Sequence, residues 1–190
     1  MKTLKNNSFK VLMNLLLVAI FLQACSQNNA QEKNKSEVEK PEMDIQTAVL
    51  TGNLEVVRQH IKAGSNIDEK EPMSGSTPLI SAATFGKTDI AKLLIEAGAD
   101  LTISNNDGTT PLHSAAFFCW VEIVQLLIDV NADKTLKNNF GATPGETVAG
   151  PFSEIRPIYE MMQQQLAPLG MQLDMERLEK ARPVIRMMLQ

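Results

Sequence analysis

The stretch Thr77-Pro78-Leu79-Ile80-Ser81-Ala82-Ala83 returns with one replacement as Thr110-Pro111-Leu112-His113-Ser114-Ala115-Ala116, 33 positions later. A third start, Thr143-Pro144-Gly145, follows after the same interval. Self-similarity at this period marks a solenoid, in which each unit is too small to bury its apolar face and does so on its neighbours. The letters inside one period read as two helices. Thr77 offers a side-chain oxygen to the orphan amides of a helix start, Pro78 fits the first turn, where no amide partner is needed, and Leu79, Ala82 and Ala83 share one face. Gly86 permits the left-handed residue that ends this helix. A second helix begins at Asp89, with Ile90, Leu93 and Leu94 at the spacing of a buried stripe, and Gly98 closes the pair. The polar stretch from Thr102 to Thr109, with Asp107-Gly108, has the chemistry of a tight turn.

Working outward, the period from Thr110 repeats this with Leu112, Ala115, Ala116, Ile123, Leu126 and Leu127, and Ala97-Gly98-Ala99-Asp100 lies over Val130-Asn131-Ala132-Asp133. A weaker unit precedes them. Ile45, Ala48, Gly52, Glu55, Val56, Ile61 and Ala63-Gly64 match positions 34 residues later, so the loop from Glu69 to Ser76 holds one extra residue. Gln59 and His60 take the places of Leu93 and Leu94, which predicts a terminal face turned to solvent. At the other end Gly145 stands where leucine belongs, and Pro151 and Pro157 are expected to interrupt the helices of a degenerate closing unit. Leu178, Ala181, Ile185 and Leu189 predict a final amphipathic helix that Arg182-Pro183 kinks or shortens. Six of the ten methionines fall between Met161 and Met188, as a cover for the last repeat.

The period, the Thr-Pro-Leu-His start and the Ala-Gly-Ala-Asp end resemble the ankyrin repeat family. The resemblance implies an all-α solenoid of about four stacked helix-turn-helix units with connecting hairpin loops. On this chain the repeats span 43–165, as 43–76, 77–109, 110–142 and 143–165, followed by a helical cap at 166–190. In the family, Thr77, Pro78, Leu79, Thr110, Pro111 and Leu112 are framework, and His113 ties the threonine to loop backbone. Partners bind through loop tips and the exposed side of the inner helices. That places candidate contacts on Lys70 to Gly75, Ser104 to Asp107 and Lys137 to Phe140, with Met73, Asn105, Asn106, Asn138 and Asn139 among them. The inner helices offer Ser81, Phe85, Ser114, Phe117 and Phe118. Phe117, Trp120 and Phe140 are the aromatic anchors expected there, since aromatic side chains often dominate interface energy. Trp120→Ala is accordingly expected to weaken partner capture and leave the domain folded.

The start of the chain carries a separate message. Lys2, Lys5 and Lys10 precede an apolar run from Val11 to Leu22, shorter than the ~20 residues that span a bilayer, and Leu22-Gln23-Ala24-Cys25 closes it. This is a secretory leader, expected to be removed at 1–24. Its ending resembles the lipobox of bacterial lipoproteins. The resemblance implies acylation of Cys25, palmitate included, and, with Ser26 following, an outer-membrane anchor facing periplasm or surface. Several acyl chains at about 0.8 kcal/mol per buried methylene hold a protein stably on a membrane. Residues 26 to 42 are polar and mixed in charge, with too little apolar surface to fold, so 25–42 reads as a tether with a reach of about 20 to 25 Å.

Without the leader the chain has 15 basic and 22 acidic residues, a formal charge of −7. Nothing basic clusters, which argues against nucleic acid. With Cys25 assigned to lipid, Cys119 has no disulfide partner. No phosphate loop, metal-spaced ligand set or nucleophile motif stands out, so no metal, cofactor or small-molecule substrate is expected. The function expected is a non-catalytic, lipid-anchored protein-binding module acting as adaptor, scaffold or inhibitor. Toxin immunity is one such role known among ankyrin lipoproteins. The alternative is an envelope enzyme or redox protector using Cys119.

Overall fold

Seven-residue and nine-residue helices alternate along the chain. α1 (Ile45–Thr51) precedes α2 (Leu54–Lys62), α3 (Pro78–Thr84) precedes α4 (Thr88–Glu96), and α5 (Pro111–Phe117) precedes α6 (Val121–Asp129). The structure is a computed structural model that describes residues 40–190. The expected leader at 1–24, Cys25 and the tether as far as residue 39 lie outside the described residues. Helices this short are unstable alone in water. They persist because α1, α3 and α5 pack in succession as an inner layer, and α2, α4 and α6 do so as an outer one. Between the layers lie Leu79, Ala82, Ala83, Ile90 and Leu94, and one period later Leu112, Ala115, Ala116, Ile123 and Leu127, all buried. Alanine at the inner positions lets paired helices approach closely. Among the described residues there is no strand, and the fold is the all-α solenoid that the period predicts.

The threonines start their helices as expected. The Thr77 hydroxyl accepts from the Ile80 amide at 3.3 Å. At Thr110 the box is reciprocal: its hydroxyl accepts from the His113 amide, and His113 Nδ1 accepts from the Thr110 amide at 3.3 Å. The proton is thereby placed on Nε2, which donates to the Ala142 carbonyl at 3.0 Å. Burial holds the His113 pKa below its usual 6.5, which keeps that tautomer neutral.

The first unit departs from expectation at His60. It occupies the place of Leu94, yet it is only 1% exposed. Its Nε2 bonds the Met43 carbonyl at 2.8 Å and its Nδ1 the Ser65 hydroxyl at 3.0 Å. Chain just upstream of α1 thus supplies the polar partner that a neighbouring repeat would have replaced with apolar surface.

The fourth unit is rebuilt rather than merely degraded. Thr143 and Glu146 exchange capping bonds at 2.7 and 3.3 Å, but only one 3-10 turn, Glu146–Val148, follows in the inner layer. The chain then leaves the repeat path in α7 (Phe152–Leu166) and a second 3-10 turn (Ala167–Leu169). It returns as α8 (Met175–Met188), which packs on α6 and on the first 3-10 turn, where a fourth outer helix would stand. Leu178 and Ile185 are its buried stripe. A β-carbon at Gly145 would meet the Leu189 side chain at 3.4 Å, an ordinary contact distance, so the end of α8 packs directly on this position. The prolines interrupt nothing: Pro151 caps α7, while Pro157 and Pro183 lie inside continuous helices. Pro157 and Pro183 are exposed, as are Ser153 and Glu179 four positions earlier, so the carbonyl that each missing amide leaves free lies on a solvent-facing residue.

Where a regular repeat would cover the end of α5, polar side chains of the cap do so. The Tyr159 hydroxyl donates to the Phe117 carbonyl at 2.6 Å, and the Arg177 guanidinium donates to the carbonyls of Phe118 and Cys119 at 3.3 and 2.8 Å. Helix ends leave such carbonyls unpaired unless something outside the helix reaches them. Buried Arg182 completes the set by donating to the Tyr159 oxygen and the Gly150 carbonyl, both at 3.1 Å.

Phe117 and Trp120 belong to this junction and are not free anchors. Phe117 lies tilted against the Tyr159 ring, with centroids 4.8 Å apart. Trp120 lies on the bare Cα of Gly86, where a β-carbon would come within 2.6 Å of the indole; its Nε1 donates to the Thr84 carbonyl at 3.1 Å, and Arg177 rests 4.1 Å over its ring. Such a stacked guanidinium is attracted by the ring face as well as by the carbonyls. Trp120→Ala therefore removes packing, a hydrogen bond and the seat of Arg177. The expected loss is about 3 kcal/mol in urea-induced unfolding, the size seen for large aromatic-to-alanine changes.

Candidate protein-binding face

Each loop between units turns at a residue whose side chain holds the turn closed. Asn105 Oδ1 accepts from the amides of Asp107 and Thr109 at 3.0 and 2.9 Å, and Asn138 Oδ1 accepts from Phe140 and Ala142, both at 3.1 Å. In the first loop Glu71 takes this place. Its carboxylate accepts from the Met73 amide at 2.8 Å and also from Ser74. The extra residue lies between Glu71 and Gly75, and the longer side chain reaches across it. Burial opposes ionisation at Glu71, but the bonds from Ser74 and Met73 outweigh it and lower its pKa.

A second set of asparagines stitches the loops to one another. The Asn106 amide donates to the Ser74 carbonyl at 2.9 Å while its Nδ2 donates to the Met73 carbonyl at 3.0 Å. One period on, the Asn139 amide donates to Asp107 at 2.9 Å and its Nδ2 to Asn106 at 2.9 Å. Asn105 and Asn138 thus spend their side-chain oxygens on the scaffold, and Asn106 and Asn139 their side-chain nitrogens. The ankyrin resemblance had offered them as partner contacts because they lie at the loop tips, but asparagine also serves the turn itself.

What remains at the tips is apolar. Met73 is 89% exposed and Phe140 is 78% exposed, and the loop beneath each is stitched to one neighbouring loop. The inner helices offer little: Ser81, Ser114 and Phe118 are buried, and Phe85 and Phe117 are half-buried. Ser81 spends its hydroxyl on Gln46 Oε1 at 3.0 Å, and Gln46 Nε2 in turn reaches the Ser76 carbonyl at 2.9 Å. The residues that sequence reading missed are Tyr159, Arg177 and Arg182. A periodic signal for the first was present in Phe152, Ile155, Tyr159, Met162 and Leu166, spaced three and four apart, but the prolines masked it.

Cys119 sits where the preceding unit has Gly86, and it adopts φ 55. The thiol is 1% exposed, and burial pushes its pKa up to about 11, against the pull of Arg182 and Arg177. An activated cysteine needs the opposite shift.

Residues 45–138 match a family model described as ankyrin repeats in three copies. Residues 45–138 are ankyrin repeats. Its repeats are similar to protein phosphatase 1 regulatory subunit 27 of Homo sapiens, 43% identical over 63 residues, which is 33% of this chain and 40% of that protein. They are also similar to the DNA-binding protein RFXANK of Homo sapiens, 34% identical over 58 residues, 30% of this chain and 22% of that one. The chain therefore spans less than half the length of these curated relatives. Among solved structures, the ankyrin repeat domain of Bcl-3 aligns with a TM-score of 0.53 at 31% identity, covering 54% of this chain and 45% of that one. These ankyrin relatives are named as regulatory or binding proteins, and ankyrin repeats typically mediate protein–protein interaction.

Two outcomes are expected of the ankyrin scaffold. Iodoacetamide at pH 8 should leave Cys119 unmodified in the folded protein and label it at once in urea, as read by mass spectrometry; rapid labelling of the native state would restore the reactive-thiol reading. Glycine at 108 is required twice, by its φ of 72 and because a β-carbon would lie 2.7 Å from Asn139 Oδ1; Gly141 has φ 76 but no described atom within 4 Å of that point. Both Gly→Ala changes carry a left-handed strain of about 1 to 2 kcal/mol. Gly108→Ala should cost at least about 1 kcal/mol more in urea unfolding, the worth of a typical hydrogen bond.

Proposed function

We infer that this protein is a non-catalytic binding module which captures another protein through its loop tips. The observation that carries the reading is the pair of exposed apolar tips, Met73 and Phe140, held on turns that the Glu71 and Asn138 side chains close. Rigid apolar anchors lose little entropy on binding, which suits them to dominate an interface. The buried, high-pKa thiol of Cys119 supports a role without redox chemistry. The module would be held on a bacterial envelope membrane by acyl chains on Cys25, with residues 26 to 42 as tether. The lipobox and basic-apolar leader support this placement. A formal charge of −7 without the leader favours a basic partner, and an adaptor, scaffold or toxin-neutralising role fits both charge and anchorage.

The test uses the full chain expressed in a two-membrane bacterium. Mass spectrometry should find Cys25 acylated at a new N-terminus, and Cys25→Ser should move the protein to the soluble fraction. Paired Met73→Ser and Phe140→Ser changes should reduce partner recovery at least tenfold with the melting temperature within about 2 °C of the parent. Undiminished recovery would overturn the tip-binding reading, and soluble, unmodified Cys25 would overturn the anchor.

A further inference from the structure

The ladder of loops ends with a filled pattern twice used and once left open. At the first two steps a single asparagine delivers two donors, backbone amide and side-chain amide, to consecutive carbonyls just before a glycine. Ser74 and Met73 before Gly75 receive Asn106, and Asp107 and Asn106 before Gly108 receive Asn139. In both steps the asparagine Oδ1 lies over the glycine, in space that a β-carbon would fill. The third loop carries the same receptor. Gly141 has φ 76 like its counterparts, and the carbonyls of Phe140 and Asn139 precede it. Among the described residues neither carbonyl accepts a hydrogen bond, and nothing lies within 4 Å of a β-carbon built at Gly141.

We propose that the Asn139–Phe140–Gly141 edge is a docking site for a turn of a partner protein, which pairs an asparagine's backbone and side-chain amides with the Phe140 and Asn139 carbonyls. The occupant extends the ladder by one step, as an added strand extends a sheet edge. The exposed Phe140 ring beside it supplies apolar contact for the residue flanking that asparagine. A second copy of this chain does not fit the part. At its leading loop the matching positions are Pro72 and Met73, which offer no side-chain amide, and proline no backbone donor either. The inference rests on the protein-binding reading above and names the chemistry recognised at one tip.

The full chain, labelled with nitrogen-15, is titrated with a disulfide-closed hairpin peptide carrying Lys-Asn-Asn-Phe-Gly-Ala-Thr, the sequence of residues 137–143. The expected result is millimolar binding, with amide shifts confined to Asn139, Phe140, Gly141 and their neighbours. Binding should be about tenfold weaker when the second asparagine of the peptide is alanine. Shifts elsewhere, equal binding of the alanine peptide, or none at 5 mM from a peptide whose own spectra show the closed turn would overturn the proposal. A second arm is independent of the peptide's fold: Gly141→Ala should cut capture of the partner at least tenfold while the melting temperature shows a folded chain. Capture that survives Gly141→Ala but is lost in Phe140→Ser refutes the ladder extension and leaves the tip-binding function standing.

Discussion

A helix pair of seven and nine residues cannot bury its own stripe, so every unit depends on the faces of its neighbours. That constraint makes the two ends of the stack the problem the rest of the chain must solve, because an end has one face without a repeat beside it. At the first unit His60 replaces a core leucine and finds Met43 and Ser65. At the last, Tyr159 and Arg177 reach back over the end of α5 and meet the carbonyls that a further helix would have shielded, and Arg182 holds the Tyr159 oxygen from behind. Both ends are closed with polar side chains whose hydrogen-bonding capacity is used, and no buried side-chain nitrogen or oxygen among the described residues lacks a partner.

The closing of the stack also decides which aromatic residues are available to a partner. Phe117 and Trp120 lie at the cap junction, one against Tyr159 and the other between Gly86 and Arg177, so changes there act through stability. Phe140 stands beyond the junction on a loop that no later loop covers. The same separation holds among polar residues. Asparagines at the turn and at the stitch hold the loops in place, and the residue that follows each pair, Asp107 or Phe140, is left to face outward.

Much of the framework was legible from letters alone. A 33-residue period gives the unit, Thr-Pro gives the helix start, and the spacing of Ile90 and Leu94 or of Ile123 and Leu127 gives the buried stripe. His113 was legible too, since its bonds run within one unit and to the loop that follows. The asparagines were legible as turn residues but not as stitches, because Asn106 and Asn139 act on the loop before their own. The fourth unit was misread at its prolines. Local rules count the lost amide, and only the exposure of the neighbouring carbonyls decides whether water replaces it.

By itself, then, the sequence determined what is local and periodic: two short helices per unit, their caps, their turns and the direction in which apolar stripes face. Tertiary structure alone decided how the repetition stops. Helix α8 occupies the fourth outer position although it begins 32 positions after the Thr143 start, by way of α7, and nothing in the spacing of letters records that return. The reason is physical. Capping and periodicity are fixed by bonds between residues a few positions apart, whereas the choice of which helix covers an exposed end is made by the surface left uncovered, which exists only once the other units have stacked.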